Sequence, residues 1–223
     1  MIELTRARTR ALETNAQGRD LARFIEWIDK TPSTHTIRGM YVSGLIQAIN
    51  SRGFAPAKSE RIQAFKEYPL RGYMELLLDS AITLYPQQGA HEGLRELGNL
   101  AIPTFAKSIA GGVVMATVGR SWDLALACVS RGYEISLRPG RCIVAENADG
   151  RALVQLRNVW NFPDSYQVGV IEGLMQWCKL EGRVTPSRTS MCNADLAIEW
   201  QVSRNSSRRP RTDGGSASAS APR

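Results

Sequence analysis

The sequence lacks the motifs that identify the common enzyme classes. Its 223 residues contain no GxSxG, HExxH, P-loop or GxGxxG pattern, so nothing specific indicates a hydrolase, a metalloprotease, a nucleotide hydrolase or a dinucleotide-binding enzyme. Histidine is scarce: the only two, His35 and His91, lie near predicted helix starts, where capping or surface roles are favoured. The sequence therefore favours a non-catalytic protein, and an enzyme with an unrecognised site is the weaker alternative.

Cysteine pairs with metal-binding or redox spacing are also missing. The four cysteines are separated by 14, 36 and 14 residues and form no CxxC pair; they are Cys128, Cys142, Cys178 and Cys192. This spacing favours reduced, mostly buried thiols over a disulfide or a metal site. We therefore predict no metal site and no cofactor.

Long apolar segments are absent as well. No run of 18 apolar residues occurs, and the charge-free stretch 108–119, 12 residues long, is too short to cross a bilayer. The first residues, MIELTRARTRALET, mix charges and lack the apolar segment of a secretory signal. The sequence predicts a cytoplasmic protein with no membrane span.

Positive charge is concentrated at the C-terminal end. Residues 203–223, SRNSSRRPRTDGGSASASAPR, hold five arginines and one aspartate and so contribute +4 of the net +7. This segment has no Val, Ile, Leu, Met or aromatic residue, so it cannot bury enough apolar surface to offset the entropy lost on ordering. We predict a disordered, solubilising basic tail. Nucleic-acid binding is expected only if the RRPR cluster supplies it.

Apolar residues recur at helical spacing through the first part of the chain. Leu21, Phe24, Ile25 and Ile28 share one face of a predicted helix, and residues 1–31 are predicted to form an N-terminal helical appendage. Further helices are predicted at 37–51, 59–68, 69–85, 89–111 and 113–133. Pro103 and the glycine pair at 111–112 should bend or divide the last two.

The apolar period then changes from 3.6 to 2. Strands are predicted at 133–138, 141–147, 151–159, 183–190 and 194–202, with a helix at 164–180 between the third and fourth. The order predicts an α+β fold over residues 32–202. An N-terminal helical half is followed by an antiparallel sheet, which one long helix interrupts.

That long helix, DSYQVGVIEGLMQWCKLEG at 164–182, carries two glycines four residues apart. Asp164 and Ser165 are predicted to cap its start. Gly169 and Gly173 lie on one face, and each lowers helix stability by about 1 kcal/mol relative to alanine. Because a glycine lets another backbone come close, we predict that these two mark tight packing against the sheet or a neighbouring helix.

Several segments resemble a known superfamily. The stretches LRELGNLAIPTFAKSIAG (94–111) and YQVGVIEGLMQWCKLEGRVTPSRTSMCNADLAIEW (166–200) are similar to the group that contains heme-nitric-oxide-binding domains, 4-vinyl-reductase-type domains and Bet3-like subunits. IRGMYVSGLIQAI (37–49) resembles the first helix of the heme domains. The segments RGMYVSGLIQAI, YPLRGYMELLL and FPDSYQVGVIEG more closely resemble a myxobacterial family of paralogues with no assigned activity. The likeness implies a ligand-binding fold over about residues 36–202.

The resemblance also implies which heme-binding features should be present, and the sequence departs from them. Heme domains of this group ligate iron through a histidine in the helix before the sheet, but residues 119–133 contain none. Their Tyr-x-Ser-x-Arg motif aligns with Arg157, Val159 and Asn161, and none of the three matches. Cys128 falls in the helix that would carry the ligand, where a structural cysteine is favoured over a thiolate ligand. The sequence thus predicts that family-type heme binding is lost.

Aromatic and apolar residues around the last helix suggest a small-molecule pocket, although ordinary core packing is the favoured explanation of the aromatic cluster. The pocket is predicted between the 98–118 region and that helix; its residues are Phe105, Val114, Met115, Trp160, Phe162, Tyr166 and Met175. The favoured function is a non-catalytic domain that senses a lipid-like or other apolar small molecule, with a possible role in signalling. The alternative is a purely structural interaction protein, either a homodimer or bound to a protein partner.

Overall fold

The computed structural model describes residues 17–53 and 62–202, and within them the predicted α+β fold is confirmed. The elements in chain order are α1 (Gln17–Lys30), β1 (Thr36–Arg38), α2 (Gly39–Asn50), β2 (Glu67–Pro69), α3 (Leu70–Leu84), α4 (Ala90–Asn99), α5 (Ala101–Lys107), α6 (Ile109–Val118), α7 (Trp122–Ser136), β3 (Leu137–Arg138), β4 (Arg141–Ala148), β5 (Arg151–Arg157), α8 (Tyr166–Trp177), β6 (Leu180–Arg188) and β7 (Ala194–Val202). The predicted basic tail, 203–223, lies outside the described residues.

The main sheet has four antiparallel strands in the order β4-β5-β7-β6, and α8 connects β5 to β6. Alternate residues of β5, namely Ala152, Val154 and Leu156, are buried, as period-2 alternation requires for a sheet with one covered face. A tight turn joins β4 to β5, where Gly150 adopts a φ of 79°, a conformation that favours glycine. The predicted sheet with one intervening helix is therefore confirmed.

The described part of the predicted appendage, α1, packs in the same hydrophobic core as the rest of the fold. Phe24 and Trp27 are fully buried, and Leu21 and Ile28 nearly so. Phe162, from the segment before α8, contacts both rings edge-on, with centroid distances of 5.3 Å to Phe24 and 5.8 Å to Trp27. The amphipathic face of α1 thus covers the loop that leads into α8.

Two predicted elements are wrong in the described residues. The predicted strand at 133–138 is helical up to Ser136. Tyr133 hydrogen-bonds to Gln167 of α8 and Ser136 to Tyr41 of α2, and these contacts of α7 override the strand preference of Tyr and Ile. The helix at 59–68 is absent from its described part, residues 62–68. The carbonyls of Ala64 and Lys66 instead accept from the first N–H groups of α2, at 2.9 and 2.8 Å. A small sheet, ordered β2-β1-β3, forms there.

The predicted cap of α8 is also wrong. The Ser165 side chain makes no capping hydrogen bond and its hydroxyl is buried without a partner. The Asp164 carboxylate faces away from the helix and binds Arg23 of α1 at 2.8 Å and Arg188 of β6 at 3.5 Å. The start of α8 is therefore held by tertiary contacts rather than by local capping.

No single helix in the described residues is long and apolar enough to span a bilayer. Residues 90–107 and 111–118 meet the length and composition criteria only as a pair, with a sharp bend between them.

Candidate functional site

A cavity of about 590 Å³ lies among α2, α3, α5, α6, α7 and α8. It exists because the helices present small residues where a filled core would have large ones; these are Ser43, Gly44, Ala48, Ala101, Ala125 and Gly132. The remaining wall is mostly aliphatic and aromatic. The volume falls within the range of about 300–1,000 Å³ that is typical of small-molecule sites.

The inner end of the cavity carries uncharged polar groups. The hydroxyls of Tyr73 and Tyr166 lie 3.0 Å apart, and the Tyr133 hydroxyl donates to Gln167 Oε1. Gln167 Nε2 in turn donates to the backbone oxygen of Asn161 at 3.2 Å. These residues come from α3, α7 and the start of α8, so only the folded chain brings them together.

Burial keeps these phenols protonated. It raises the pKa of Tyr166 to about 12 and holds the pKa of Tyr73 and of Tyr133 well above the ordinary value, because the phenolate would lose its hydration. Among the described lining residues the only formally charged side chain is Arg131, which is exposed and paired with Glu134 at 2.6 Å. The inner end therefore carries no charge at neutral pH.

The opening of the cavity is marked by exposed apolar side chains. Phe65, before β2, is 79% exposed and Ile135, on α7, is 50% exposed, although both line the cavity. Arg131 stands at the same outer side. The cavity is thus apolar through its middle and polar at its inner end.

Four of the seven residues predicted for the pocket line this cavity: Phe105, Val114, Met115 and Tyr166. The other three do not. Trp160 donates to Asn158 Oδ1 at 3.0 Å and its ring lies edge-on to His35, Phe162 is enclosed by the α1 aromatics, and the methyl of Met175 points toward Gly182 of β6.

Sequence reasoning missed the contributions of α2, α3 and α7. Gly44 and Ala48 on α2 are four residues apart and so share a face. A stripe of small residues on an otherwise apolar helix is the signal that could have indicated open space beside it. Nothing in the local sequence of Tyr73 or Tyr133 distinguishes them from ordinary core tyrosines.

The two glycines of α8 face α4. A Cβ added at Gly169 would overlap the backbone oxygen of Arg95, and one added at Gly173 would lie 2.7 Å from the backbone oxygen of Asn99. Arg95 also binds the Glu172 carboxylate with two hydrogen bonds, which holds the crossing in register. The backbones of α4 and α8 are therefore in direct contact.

The described residues contain no group of three or more His, Cys, Asp or Glu side chains that could hold a metal ion. All four cysteines are free thiols, and Cys128 lines the cavity. Burial raises the pKa of Cys142 to about 12, so this thiol is protonated at neutral pH.

The positions that align with the heme-domain motif are engaged otherwise. Arg157 pairs with Asp195 at 2.7 Å, Val159 is fully buried, and Asn161 lies at the inner end of the cavity. The helix before the main sheet, α7, contains no histidine. His35 and His91, the only two histidines in the sequence, do not line the cavity.

A second hollow lies between α7 and the turn from β3 to β4 and measures about 1010 Å³. It is an open groove with charged residues at its rim, including Arg138 and Arg141. Because an open, charged groove encloses little of a small molecule, the smaller cavity is the better candidate site.

Comparison with solved structures shows the same fold as H-NOX domains. The chain is similar to an H-NOX protein from S. oneidensis in the Fe(II)NO ligation state, with 12% identity, a TM-score of 0.57, and coverage of 74% of this chain and 99% of that one. The Fe(II) unliganded H-NOX protein from K. algicida gives 9% identity, a TM-score of 0.51 and coverage of 74% and 97%. A mutant of the Tt H-NOX gives 16% identity, a TM-score of 0.53, and coverage of 74% of this chain and 95% of that one.

No curated protein matches the sequence significantly. A family profile described as "Protein of unknown function (DUF2378)" matches residues 30–201, most of the chain. The match covers α2 to α8 and nearly all of the main sheet, including every helix that lines the cavity. The chain belongs to the DUF2378 family.

Proposed function

We propose that this protein is a non-catalytic, cytoplasmic ligand-binding domain, which senses an apolar small molecule held in the cavity among α2, α3 and α5–α8. The observation that carries the proposal is the cavity itself. An apolar hollow of about 590 Å³ with a few polar groups at one end is the usual form of a small-molecule site. A void of this size would be costly in a protein that only needed a packed core.

Heme is the ligand that the H-NOX fold implies, and the residues here do not fit it. The helix before the sheet offers no imidazole. Two of the three motif positions are committed to other contacts, since Arg157 pairs with Asp195 and Val159 is buried in the core, and the third position is the uncharged Asn161 in place of arginine. Among the described lining residues, the Cys128 thiol lies in that helix, α7, and remains a candidate iron ligand. The proposed ligand is therefore not heme bound in the family manner.

The character of the lining supports binding rather than catalysis. Among the described residues, no aspartate, glutamate, histidine or lysine lines the cavity, so it lacks the usual general bases. The phenols are held protonated, which suits them to donate hydrogen bonds and not to abstract protons. The dimerising interaction protein of the sequence-based alternative would need no such cavity.

The test uses N-phenyl-1-naphthylamine, an uncharged dye whose emission rises in apolar surroundings. We expect saturable binding of one dye per chain. In the variant Gly44→Phe, binding should weaken at least tenfold, because an added side chain at this lining position has free space around its Cβ and would fill the cavity. Gly72→Phe is the matched control: Gly72 also sits on a helix with free space around an added Cβ, but it does not line the cavity.

Native mass spectrometry and an absorption spectrum of the purified protein accompany this titration. A retained mass without a Soret band would support a non-heme ligand. Equal weakening by both phenylalanine variants, or no saturable binding by the wild type, would contradict the cavity site. A stoichiometric Soret band would contradict the argument against heme.

A further inference from the structure

Asn161 presents an unsatisfied amide beside the cavity. Its side chain is almost fully buried, at 4% exposure, and its Oδ1 atom has no hydrogen-bond partner. Its backbone oxygen, in contrast, accepts a hydrogen bond from Gln167 Nε2 at 3.2 Å. A buried amide oxygen without a partner lowers stability by about 1–3 kcal/mol, so a native structure that keeps one usually supplies the partner from elsewhere.

The backbone around Asn161 fixes this unusual position. Phe162 has a φ angle of 58°, in the left-handed region that bulky residues rarely adopt, and Asn158, at 59°, is of a residue type that tolerates this region. Such residues persist only where the surroundings dictate them, and they concentrate at binding sites. Here the contacts of Phe162 with Phe24 and Trp27 hold the segment in place.

A second incomplete group lies at the same end. Within the described residues, the hydroxyls of Tyr73 and Tyr166 hydrogen-bond only to each other, at a distance of 3.0 Å. One of the two donates to the other, so one phenolic proton is left without an acceptor in this pair. The inner end therefore contains a phenolic proton without an acceptor and the Asn161 amide oxygen without a donor.

We propose that the ligand carries an uncharged hydroxyl group, which hydrogen-bonds at the inner end to the Asn161 amide and to the Tyr73–Tyr166 pair. This inference rests on the proposed function and names the chemical class of its ligand: an apolar alcohol or phenol. A hydroxyl both donates and accepts, so it can meet the amide and the phenol proton at once.

A charged head group fits this end poorly. A carboxylate there would be buried with no cation beside it, because the lining arginine, Arg131, stands at the outer side and is paired with Glu134. An ammonium would likewise find no carboxylate among the described lining residues.

The test measures displacement of N-phenyl-1-naphthylamine by three probes: 1-decanol, its isomer 1-methoxynonane and decanoate. The variant Asn161→Leu keeps the branched shape and the number of non-hydrogen atoms of the side chain and removes the amide. We expect it to weaken 1-decanol about three- to tenfold, the effect of one neutral hydrogen bond, and to weaken the ether less because an ether cannot donate. The dissociation constant of the dye should change by less than about twofold, because leucine keeps an apolar contact at this position.

Asn99→Leu is the matched control, because Asn99 Oδ1 is also buried without a partner but does not line the cavity. It should leave all three probes unchanged. The double variant Tyr73→Phe/Tyr166→Phe tests the phenol side independently and keeps the test open if Asn161→Leu does not fold. It should also weaken 1-decanol.

The outcomes separate this inference from the proposed function. Failure of the dye to bind the wild type would refute the cavity site itself. Dye binding with an unchanged affinity for 1-decanol in Asn161→Leu would overturn only the hydroxyl assignment and would indicate that a water molecule satisfies the amide. Tighter binding of decanoate than of 1-decanol would also overturn it.

Discussion

The contact between α4 and α8 gives the sharpest stability prediction. Replacing Gly169 by alanine adds a single methyl group where the backbone oxygen of Arg95 already lies, with the Asn99 nitrogen 2.9 Å away. Both obstacles are backbone atoms of a helix, so neither can move aside by rotating a side chain. The two helices must separate or α8 must shift.

The expected magnitude follows from two opposing effects. Alanine favours the helical state over glycine by about 1 kcal/mol. Overpacking costs about 1–3 kcal/mol, and the upper part of this range applies because the clash is with backbone. Gly169→Ala should therefore lower the free energy of unfolding by about 1–2 kcal/mol.

Two further alanine variants make the comparison internal. An added Cβ at Gly173 would lie 2.7 Å from the Asn99 backbone oxygen, which is a smaller overlap than at Gly169. Gly173→Ala should therefore lower the free energy of unfolding less than Gly169→Ala does. Gly72 has free space around its added Cβ, so Gly72→Ala should gain about 0.5–1 kcal/mol from helix propensity alone.

Urea unfolding followed by circular dichroism measures all three free energies. The expected order of stability is Gly72→Ala, then wild type, then Gly173→Ala, then Gly169→Ala. If Gly169→Ala were as stable as Gly72→Ala, the direct backbone contact between α4 and α8 would be refuted.

The remaining predictions concern charge and ionisation. Asp164→Asn weakens the charge-assisted contact with Arg23 at 2.8 Å and should lower the free energy of unfolding by about 1–2 kcal/mol; the exposed Glu199→Gln, as control, should change it by less than about 0.5 kcal/mol. Equal effects of the two in urea unfolding would show that Asp164 does not anchor α1. Stability should also fall between pH 10 and about 12, because an unfolded phenol ionises near 10.0 whereas burial raises the pKa of Tyr166 to about 12. The loss is about 2–3 kcal/mol for this group, and Tyr166→Phe should flatten the decline; an unchanged pH profile in that variant would contradict the burial of its phenol.

The sequence by itself determined the α+β class and the order of the main elements, helices first and then a sheet interrupted by α8, because these follow from local periodicity. It did not predict β1 and β2, whose short strands pair only in the folded chain. The alternation of Leu196, Ile198 and Trp200 predicts β7 without any knowledge of its neighbours. The glycine spacing in α8 predicts a close backbone approach, although not which helix makes it. Gly150 likewise marks the hairpin turn on its own.

Only the tertiary structure decided where open space and unpaired polar groups lie. The cavity is bounded by helices from α2 to α8, and its small residues are individually unremarkable. Trp160, Phe162 and Met175 have the side chains typical of pocket residues, yet Trp160 hydrogen-bonds to Asn158, Phe162 packs on α1 and Met175 faces β6. Tyr73 and Tyr166 are 93 positions apart and meet only because α3 and α8 pack together. Local periodicity sets which face of a helix is buried, but the neighbour that covers that face depends on long-range packing.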